Sequence, residues 1–468
     1  MKVILIVIDT LRADHLGCYG YHRETSPNID RLAREGILFE NAYPSDVPTQ
    51  PSFTSMFTGL RGIHNGVVSH SITESLSEEI QVFPEILAIN GVTTAAVSTL
   101  YTMRRWFARG FRSYHNHAAG DRRKLQQVDA EEINAAAIPW IRDHVGEDFF
   151  LFLHYWDPHG LYKPPDEYRR LFYDGDECDP DNRSLDALKG HPIWAFTKKQ
   201  VDAIGEDITD IEYIVAQYDG EIRYADDQFQ HLLDALEDND LTDDTSIILT
   251  SDHGESLGEH DFYFDHFGVY ETTIHVPLIV KHPQGAQRGI KIEGLVQSTT
   301  SIAPTILSLF DIDPPGIMKG GNLIRMANKE ESCPSEVYSN QGLWTAKRAV
   351  RDGDWKLIKT AHRSFWETPD IELFNLGLDP LEKKNLADEE PETVNRLELQ
   401  MIKWLDIELG GRADPLALIV SRGLPVYAWV EMVSNQTGLY ETYEDWRTRI
   451  DRGEAPEARR GRTSAPRW

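Results

Sequence analysis

Short apolar runs rich in β-branched residues alternate with longer stretches of helical periodicity over roughly the first 310 residues. The runs with the length and composition of buried strands lie at residues 3–8, 93–97, 149–153, 246–250 and 276–280. The helical pattern is clearest at residues 26–35, 131–144 and 211–236. This alternation predicts an α/β fold in which a mostly parallel sheet is sandwiched by helices.

The pattern changes after residue 335. Residues 348–360 and 371–377 alternate like paired antiparallel strands around turns. We therefore predict a larger α/β domain over residues 1–330 and a smaller C-terminal α+β subdomain over residues 335–405. Two segments show neither of these patterns. Residues 166–210, rich in Asp, Pro and Gly, indicate an inserted loop or small lid, and residues 406–468 indicate an extension with a frayed, charged end.

The net charge of −29 argues against nucleic acid or an anionic membrane as a partner. The three cysteines, Cys18, Cys178 and Cys333, are too scattered for a disulfide framework, so we expect reduced thiols. The opening MKVILIVIDT is too short for the apolar part of a signal peptide, and no apolar window reaches membrane-spanning length. We interpret the protein as cytoplasmic, and the sequence leaves a homo-oligomer open.

Polar residues follow several of the predicted strands directly, where open α/β sheets bind ligands. Asp9 follows the first strand, and Asp252 and His253 stand side by side after the strand at 246–250. An adjacent carboxylate and imidazole offer a mixed oxygen and nitrogen donor set, which favours Zn²⁺ or Mn²⁺ and leaves Ca²⁺ open. For Asp9 alone, capping of the following turn is the alternative.

Thr49 precedes a predicted helix at residues 52–58. Backbone N–H groups and the dipole at a helix N-terminus stabilise incoming negative charge, so its hydroxyl is placed to attack a phosphorus or sulfur centre. The same hydroxyl is also typical of an ordinary helix N-cap. Two further groups of His and Asp follow strands or lie close after them: His154, Asp157 and His159, and then His260, Asp265 and His266.

In this order the segments resemble the sulfatase family of the alkaline phosphatase superfamily. The matching motifs are DTLRADHLGCYG at 9–20, SMFTG at 55–59, PHGLY at 158–162, YDGEIRYAD at 218–226, SDHGESLGEH at 251–260, VRDGDWKLI at 350–358 and ELFNLGLDPLEKKNL at 372–386. The resemblance implies an alkaline-phosphatase-like fold and a metal held by Asp9, Thr49, Asp252 and His253. It also implies that Thr49 is the nucleophile and that His159 contacts the substrate oxygens or the leaving group.

The departures from the family pattern concern the nucleophile and the positive charges around it. Thr49 cannot become formylglycine, because that modification starts from cysteine or serine. Phe53 stands in place of an arginine, and Thr10 in place of a second aspartate. The family's lysine segment is missing at residues 94–111, and Asp265 and His266 stand near the place of a further lysine.

We therefore predict a metal-dependent hydrolase of phosphate or phosphonate esters, meaning phosphodiesters or phosphonate monoesters, with Thr49 as nucleophile. His159 or His266 would protonate the leaving oxygen. One alternative is a sulfuric ester hydrolase that works without formylglycine, and another is a non-catalytic binding protein on the same fold. The substrate would be an anionic ester of a small molecule or glycan.

One metal is favoured, and a second from Asp157, His159, Asp265 and His266 stays open. The side chains that the sequence offers as weaker substrate contacts are His154, Asp157, Lys163, Arg104, Arg105, Arg109 and Asp265.

Overall fold

The computed structural model describes residues 1–70, 74–121, 124–191, 193–283, 288–364 and 366–426. Its strands are β1 (Lys2–Ile8), β2 (Ile37–Tyr43), β3 (Asp46–Val47), β4 (Thr93–Val97), β5 (Ser113–His115), β6 (Phe149–Tyr155), β7 (Thr245–Thr250), β8 (Ser256–Leu257), β9 (Tyr263–Asp265), β10 (Leu278–Lys281), β11 (Ile290–Gln297), β12 (Glu336–Gly342), β13 (Ala346–Asp352), β14 (Trp355–His362) and β15 (Ile371–Asn375). Its helices are α1 (Pro27–Glu35), α2 (Thr49–Thr58), α3 (Gly62–Asn65), α4 (Phe83–Ile89), α5 (Leu100–Met103), α6 (Ala130–Asp143), α7 (Asp186–Gly190), α8 (Trp194–Ile204), α9 (Ile211–Glu237), α10 (Glu271–Ile274), α11 (Ser298–Leu309), α12 (Leu323–Ala327), α13 (Pro391–Leu409) and α14 (Pro415–Arg422).

The central sheet has the strand order β11-β2-β10-β7-β1-β6-β4-β5. Its pairs are parallel except that β10 runs antiparallel to β2 and β7. On β1, Ile4 and Ile6 pack into one apolar cluster, whereas Val3 and Leu5 pack into another on the opposite face. Both faces are buried because helices cover each of them, as a continuous apolar strand requires. The predicted α/β fold with a mostly parallel sheet is confirmed.

The boundaries of the predicted elements hold to within about two residues where the apolar pattern is continuous. The strand predicted at 276–280 instead begins at Leu278. Pro277 has no N–H to donate to a ladder, and Val276 makes an isolated bridge with Ala42. The sequence analysis missed β2, whose centre is polar, and β11, whose outer half is partly exposed.

A second sheet contains β12 to β15 in antiparallel order, with β3 added parallel to β12. Helix α13 covers one face of this sheet through Val394, Leu397 and Met401. This is the smaller C-terminal subdomain, and it is confirmed as part of the fold. The predicted domain boundaries, including the end of the subdomain at residue 405, stay predictions. Helix α13 extends past that residue to Leu409. Most of the predicted tail, residues 427–468, lies outside the described residues.

The segment predicted as an insertion, residues 166–210, contains the short helices α7 and α8 among largely exposed turns. Within the ranges given above, no helix has both the length and the apolar character needed to cross a bilayer.

Candidate active site

The candidate site lies at the carboxyl end of the central strands. Register aligns Ile8 of β1 with Tyr155 of β6, and Val7 of β1 with Thr250 of β7, so three adjacent strands end together. Asp9 directly follows β1, and Asp252 lies two residues after the end of β7. The parallel pairing therefore brings carboxylates that are far apart in sequence to one edge of the sheet.

Asp9, Asp252 and His253 are fully buried, and their potential ligand atoms all lie within 4.8 Å of one another. His253 Nε2 lies 3.3 Å from Asp252 Oδ2 and 3.9 Å from Asp9 Oδ1. Thr49 Oγ1 lies 3.2 Å from the same nitrogen. Ligand atoms around a tetrahedral ion with bonds of about 2.0–2.2 Å lie about 3.3–3.6 Å apart. The distances from His253 Nε2 to Thr49 Oγ1 and to Asp252 Oδ2 are close to this spacing, and the distance to Asp9 Oδ1 is longer.

In each carboxylate of the cluster, the protein holds one oxygen and leaves the other without a partner. His154 Nε2 donates to Asp9 Oδ2 at 3.2 Å, and the Thr10 N–H donates weakly to Asp252 Oδ1 at 3.4 Å. Asp9 Oδ1 and Asp252 Oδ2 are buried and accept no hydrogen bond. Buried unpaired carboxylate oxygens are costly, and a divalent cation satisfies both at once.

The ring of His253 is oriented by its other nitrogen. Its Nδ1 donates to the Gly254 carbonyl oxygen at 2.9 Å, which leaves the Nε2 lone pair directed at the carboxylates. Histidine ligands of metals are held in this way by an outer hydrogen bond. The donor set therefore fits a divalent cation, with nitrogen and oxygen atoms that suit Zn²⁺ or Mn²⁺.

The electrostatics of the cluster are unfavourable without a cation. Burial raises the pKa of Asp9 well above its usual value, and the charges of Asp252 and Glu255 raise it further. Burial also raises the pKa of Asp252. Both carboxyl groups resist ionisation when no cation is bound. A cation between Asp9 and Asp252 would stabilise their charged forms and would therefore be strongly favoured.

Thr49 is the first residue of α2, three residues before the start predicted from the sequence, and its side chain is only 1% exposed. Ser52 Oγ donates to the Asp252 carbonyl oxygen at 2.8 Å, which fixes α2 against the loop after β7. Phe53, at the position where the resemblance expects arginine, packs its ring 4.8 Å from that of His154. That position therefore contributes an apolar wall in place of a cation.

Three further histidines lie close to the cluster. The His266 ring lies 4.3 Å from His253 and 5.6 Å from His159, measured between centroids. Burial lowers the pKa of His154 and of His159 to about 3, and that of His266 well below its usual value. These imidazoles are neutral near neutral pH unless a bound anion favours the charged form.

Two residues of the site were missed by the sequence analysis. His70 Nε2 accepts a hydrogen bond of 3.0 Å from the Gln50 N–H, in the first turn of α2. Glu255 lies with Asp265 and His266 in a second group whose ligand atoms are within 4.8 Å of one another. Glu255 falls inside the SDHGE motif, which was a usable signal, whereas nothing in the sequence around His70 marks it.

The structure does not bring all the weaker candidates to the site. Asp157 Oδ2 accepts from the Ala130 N–H at 2.8 Å, at the start of α6, so it stabilises that helix. Arg109 makes a two-contact ion pair with Glu85, at 2.9 and 2.8 Å. Both side chains therefore have structural partners.

The remaining basic candidates differ in their surroundings. Arg105 and Lys163 are exposed. The Arg104 guanidinium lies 5.9 Å from the centroid of the Trp106 ring. Burial lowers the pKa of His70 to about 3, and the charges of His253 and Arg104 lower it further. Of these three, Arg104 is the one that interacts with a side chain of the site.

Asp157 and Glu221 form a buried pair of acidic side chains. Burial raises the pKa of Asp157 to about 7 and that of Glu221 well above its usual value, with the Asp157 charge adding to the latter. The folded protein holds these protons more tightly than the unfolded chain. The stabilisation from this pair is therefore complete below about pH 4 and is lost as the pH rises through about 7.

We expect Glu221→Gln to reduce the fall in Tm between about pH 6 and about pH 8.5 by a few degrees relative to the unchanged protein. The reason is that glutamine keeps an oxygen for the Lys163 N–H but cannot ionise beside Asp157. Thermal unfolding across this pH range measures the effect. Glu237→Gln, an exposed position on the same helix, is the control. An identical pH slope for Glu221→Gln and the unchanged protein would contradict the prediction.

Comparison with known proteins places these observations in a family. Residues 2–312 match the family model described as Sulfatase, and residues 258–406 match the one described as N-sulphoglucosamine sulphohydrolase, C-terminal. An arylsulfatase of Clostridium perfringens is 24% identical over 494 aligned positions, which cover 91% of this chain and 98% of that protein.

Two solved structures show the same fold. The phosphonate monoester hydrolase of Agrobacterium radiobacter has a TM-score of 0.67 at 21% identity, covering 87% of this chain and 95% of that one. A protein in complex with its substrate D-glucosamine-2-N,6-O-disulfate has a TM-score of 0.72 at 20% identity, covering 88% and 99%. At these identities the likeness concerns the fold alone.

Proposed function

Because this chain belongs to the sulfatase family and is an ester hydrolase, we propose that it cleaves phosphodiesters or phosphonate monoesters with Thr49 as nucleophile. The observation that carries the proposal is the position of Thr49 Oγ1, which lies 3.2 Å from His253 Nε2, the nitrogen that is itself 3.3 Å from the unpaired Asp252 Oδ2. Members of this family generally use a divalent metal, and these four residues would hold it here. The substrate would be an anionic ester of a small molecule or glycan.

Three features favour phosphorus over sulfur. Thr49 cannot form the aldehyde hydrate that releases sulfate by elimination, so a sulfated enzyme would need attack by water at sulfur. Two basic side chains of the sulfatase pattern are also replaced. Phe53 is buried where the resemblance expects arginine, and Asp265 stands near the place of a lysine. A phosphorylated threonine, by contrast, is hydrolysed by in-line attack of water at phosphorus.

In the proposed reaction, Thr49 Oγ1 loses its proton to solvent and bonds to phosphorus as the bond from phosphorus to the leaving oxygen breaks. His159 donates a proton to that oxygen, since its Nδ1 has no hydrogen-bond partner and a bound anion favours its charged form. Water then attacks phosphorus, restores the Thr49 hydroxyl and releases the second product. The cation supplies a lowered pKa for the hydroxyl and offsets charge on the non-bridging oxygens.

A sulfuric ester hydrolase that works without formylglycine is the second candidate. It is favoured by the match of residues 258–406 to the sulphohydrolase model and by the arylsulfatase relative. The non-catalytic alternative has no such support, because the proteins that this chain matches are enzymes.

Three aryl esters with the same leaving group separate the candidates: a phosphodiester, a phosphonate monoester and a sulfate. We expect kcat/KM of the metal-restored enzyme to be at least about 100-fold higher on a phosphorus ester than on the sulfate, a difference of about 2.7 kcal/mol. Metal-depleted enzyme is the control and should be inactive on all three. A preference for the aryl sulfate would replace the proposal by the second candidate.

A further inference from the structure

Glu255, Asp265 and His266 form a second group of metal-ligating side chains, at β8 and β9. His266 Nδ1 lies 3.3 Å from Asp265 Oδ1 and 3.7 Å from Glu255 Oε2. Both separations are longer than a normal hydrogen bond. The first lies within, and the second just beyond, the roughly 3.3–3.6 Å between ligand atoms that share one ion with bonds of about 2.0–2.2 Å. The two carboxyl groups therefore converge on the His266 ring, and the His266 backbone N–H also donates to Asp265 Oδ1 at 2.8 Å.

Unpaired atoms in this group point independently to a ligand. Glu255 is 1% exposed, and its Oε1 accepts no hydrogen bond. His266 is 8% exposed, and its Nδ1 likewise has no hydrogen-bond partner. Buried polar atoms are nearly always paired in folded proteins, so two orphans that face a third ligating group indicate a missing partner.

Like the first cluster, this group has more acidic than basic side chains, since it contains two carboxyl groups and one imidazole. The Arg12 guanidinium contacts the Glu255 backbone oxygen, but its side-chain ion pairs are with Asp14 and Glu259. The Glu255 carboxylate is therefore left without a basic partner by this arginine.

We propose that Glu255, Asp265 and His266 bind a second divalent cation, of the Zn²⁺ or Mn²⁺ class that accepts mixed oxygen and nitrogen ligands. The His266 ring lies 4.3 Å from that of His253, so this cation would lie next to the first cluster. It differs from the second site considered from the sequence, because Glu255 takes part and Asp157 is held at the start of α6.

The consequence for catalysis rests on the proposed function. A cation here supplies positive charge beside the substrate at the place where Asp265 stands in place of a lysine. His266 is then a ligand, which leaves His159 as the proton donor to the leaving oxygen. Binding of the cation itself does not depend on which ester the enzyme cleaves.

The test is the metal stoichiometry of the full chain, independent of turnover. Metal-depleted protein is loaded with Mn²⁺, desalted and analysed for bound metal, and its electron paramagnetic resonance spectrum is recorded. We expect two equivalents with the signature of a coupled pair. Glu255→Gln and Asp265→Asn should each bind one equivalent and show isolated Mn²⁺. Asp261→Asn, an exposed aspartate between them in sequence, is the matched control and should keep two.

One equivalent in the unchanged protein overturns the proposal, as do two equivalents retained by both variants. Circular dichroism of each variant shows whether it is folded, and the conservative substitutions keep the side-chain size at both positions. Two equivalents with no turnover of phosphorus esters would refute the proposed function and leave the second site standing. Turnover of phosphorus esters by a protein that binds one equivalent of metal would support the proposed function and refute the second site.

Discussion

Thr49→Ala is expected to lower kcat on a phosphorus ester by roughly 10³-fold or more, equivalent to about 4 kcal/mol in the barrier. The alanine protein has no oxygen at the position beside His253 Nε2, so it can neither form the covalent ester nor complete the ligand shell. Steady-state rates with saturating metal measure the loss. Rapid mixing adds a second readout, since the burst of leaving group from the covalent step should disappear.

Two variants separate this effect from a general loss of structure. Thr49→Ser keeps a hydroxyl at the same place and should retain most of the activity that alanine loses. Thr58→Ala removes another buried hydroxyl from α2, one that donates to the Thr54 carbonyl oxygen at 2.7 Å, and should leave kcat nearly unchanged. Normal turnover by Thr49→Ala would remove the nucleophile from the proposal.

Asp252→Asn is expected to weaken binding of the first cation by roughly 10³-fold and to lower turnover in parallel. It removes one of the two buried carboxylate oxygens of the Asp9–Asp252–His253 cluster that accept no hydrogen bond. His154→Phe should have a smaller effect, about 10–100-fold in affinity, because it removes the group that orients Asp9 and leaves the ligands in place. Titration of metal-depleted protein measures both affinities.

The order of these two losses is the sharper result. Removing a metal ligand should lower the affinity for the cation more than removing a group that only orients a ligand. Asp238→Asn and His144→Phe, at the ends of α9 and α6, are matched controls away from the cluster and should bind the cation normally. Unchanged affinity in Asp252→Asn, or a larger loss in His154→Phe, would contradict the ligand assignment.

The part of the site that could be predicted follows from strand order. Asp9 and Asp252 come directly after apolar runs long enough to be central strands, and neighbouring parallel strands end at the same edge. Local pattern therefore determined both the strands and the placement of these carboxylates. His253 follows because it is the next residue in the chain.

The part that could not be predicted depends on contacts between distant residues. Asp157 and Arg109 have the right charges in the right segments, but Ala130 and Glu85 engage them instead. His70 reaches the site by accepting a hydrogen bond from the first turn of α2, a contact between loops that no periodicity reports. Such pairings depend on tertiary packing, which a local pattern does not encode.

The pairing of β3 with β12 links the segment before Thr49, the proposed nucleophile, to the C-terminal subdomain. β3 ends two residues before Thr49, and Asn340 of β12 donates to both the Ser45 carbonyl oxygen and Asp46 Oδ1. The C-terminal subdomain is therefore not a detachable module. Exchanging this subdomain between relatives would also change the contacts that hold β3, and with it the position of Thr49, the proposed nucleophile. We therefore expect such chimeras to change the reaction rate as well as the specificity.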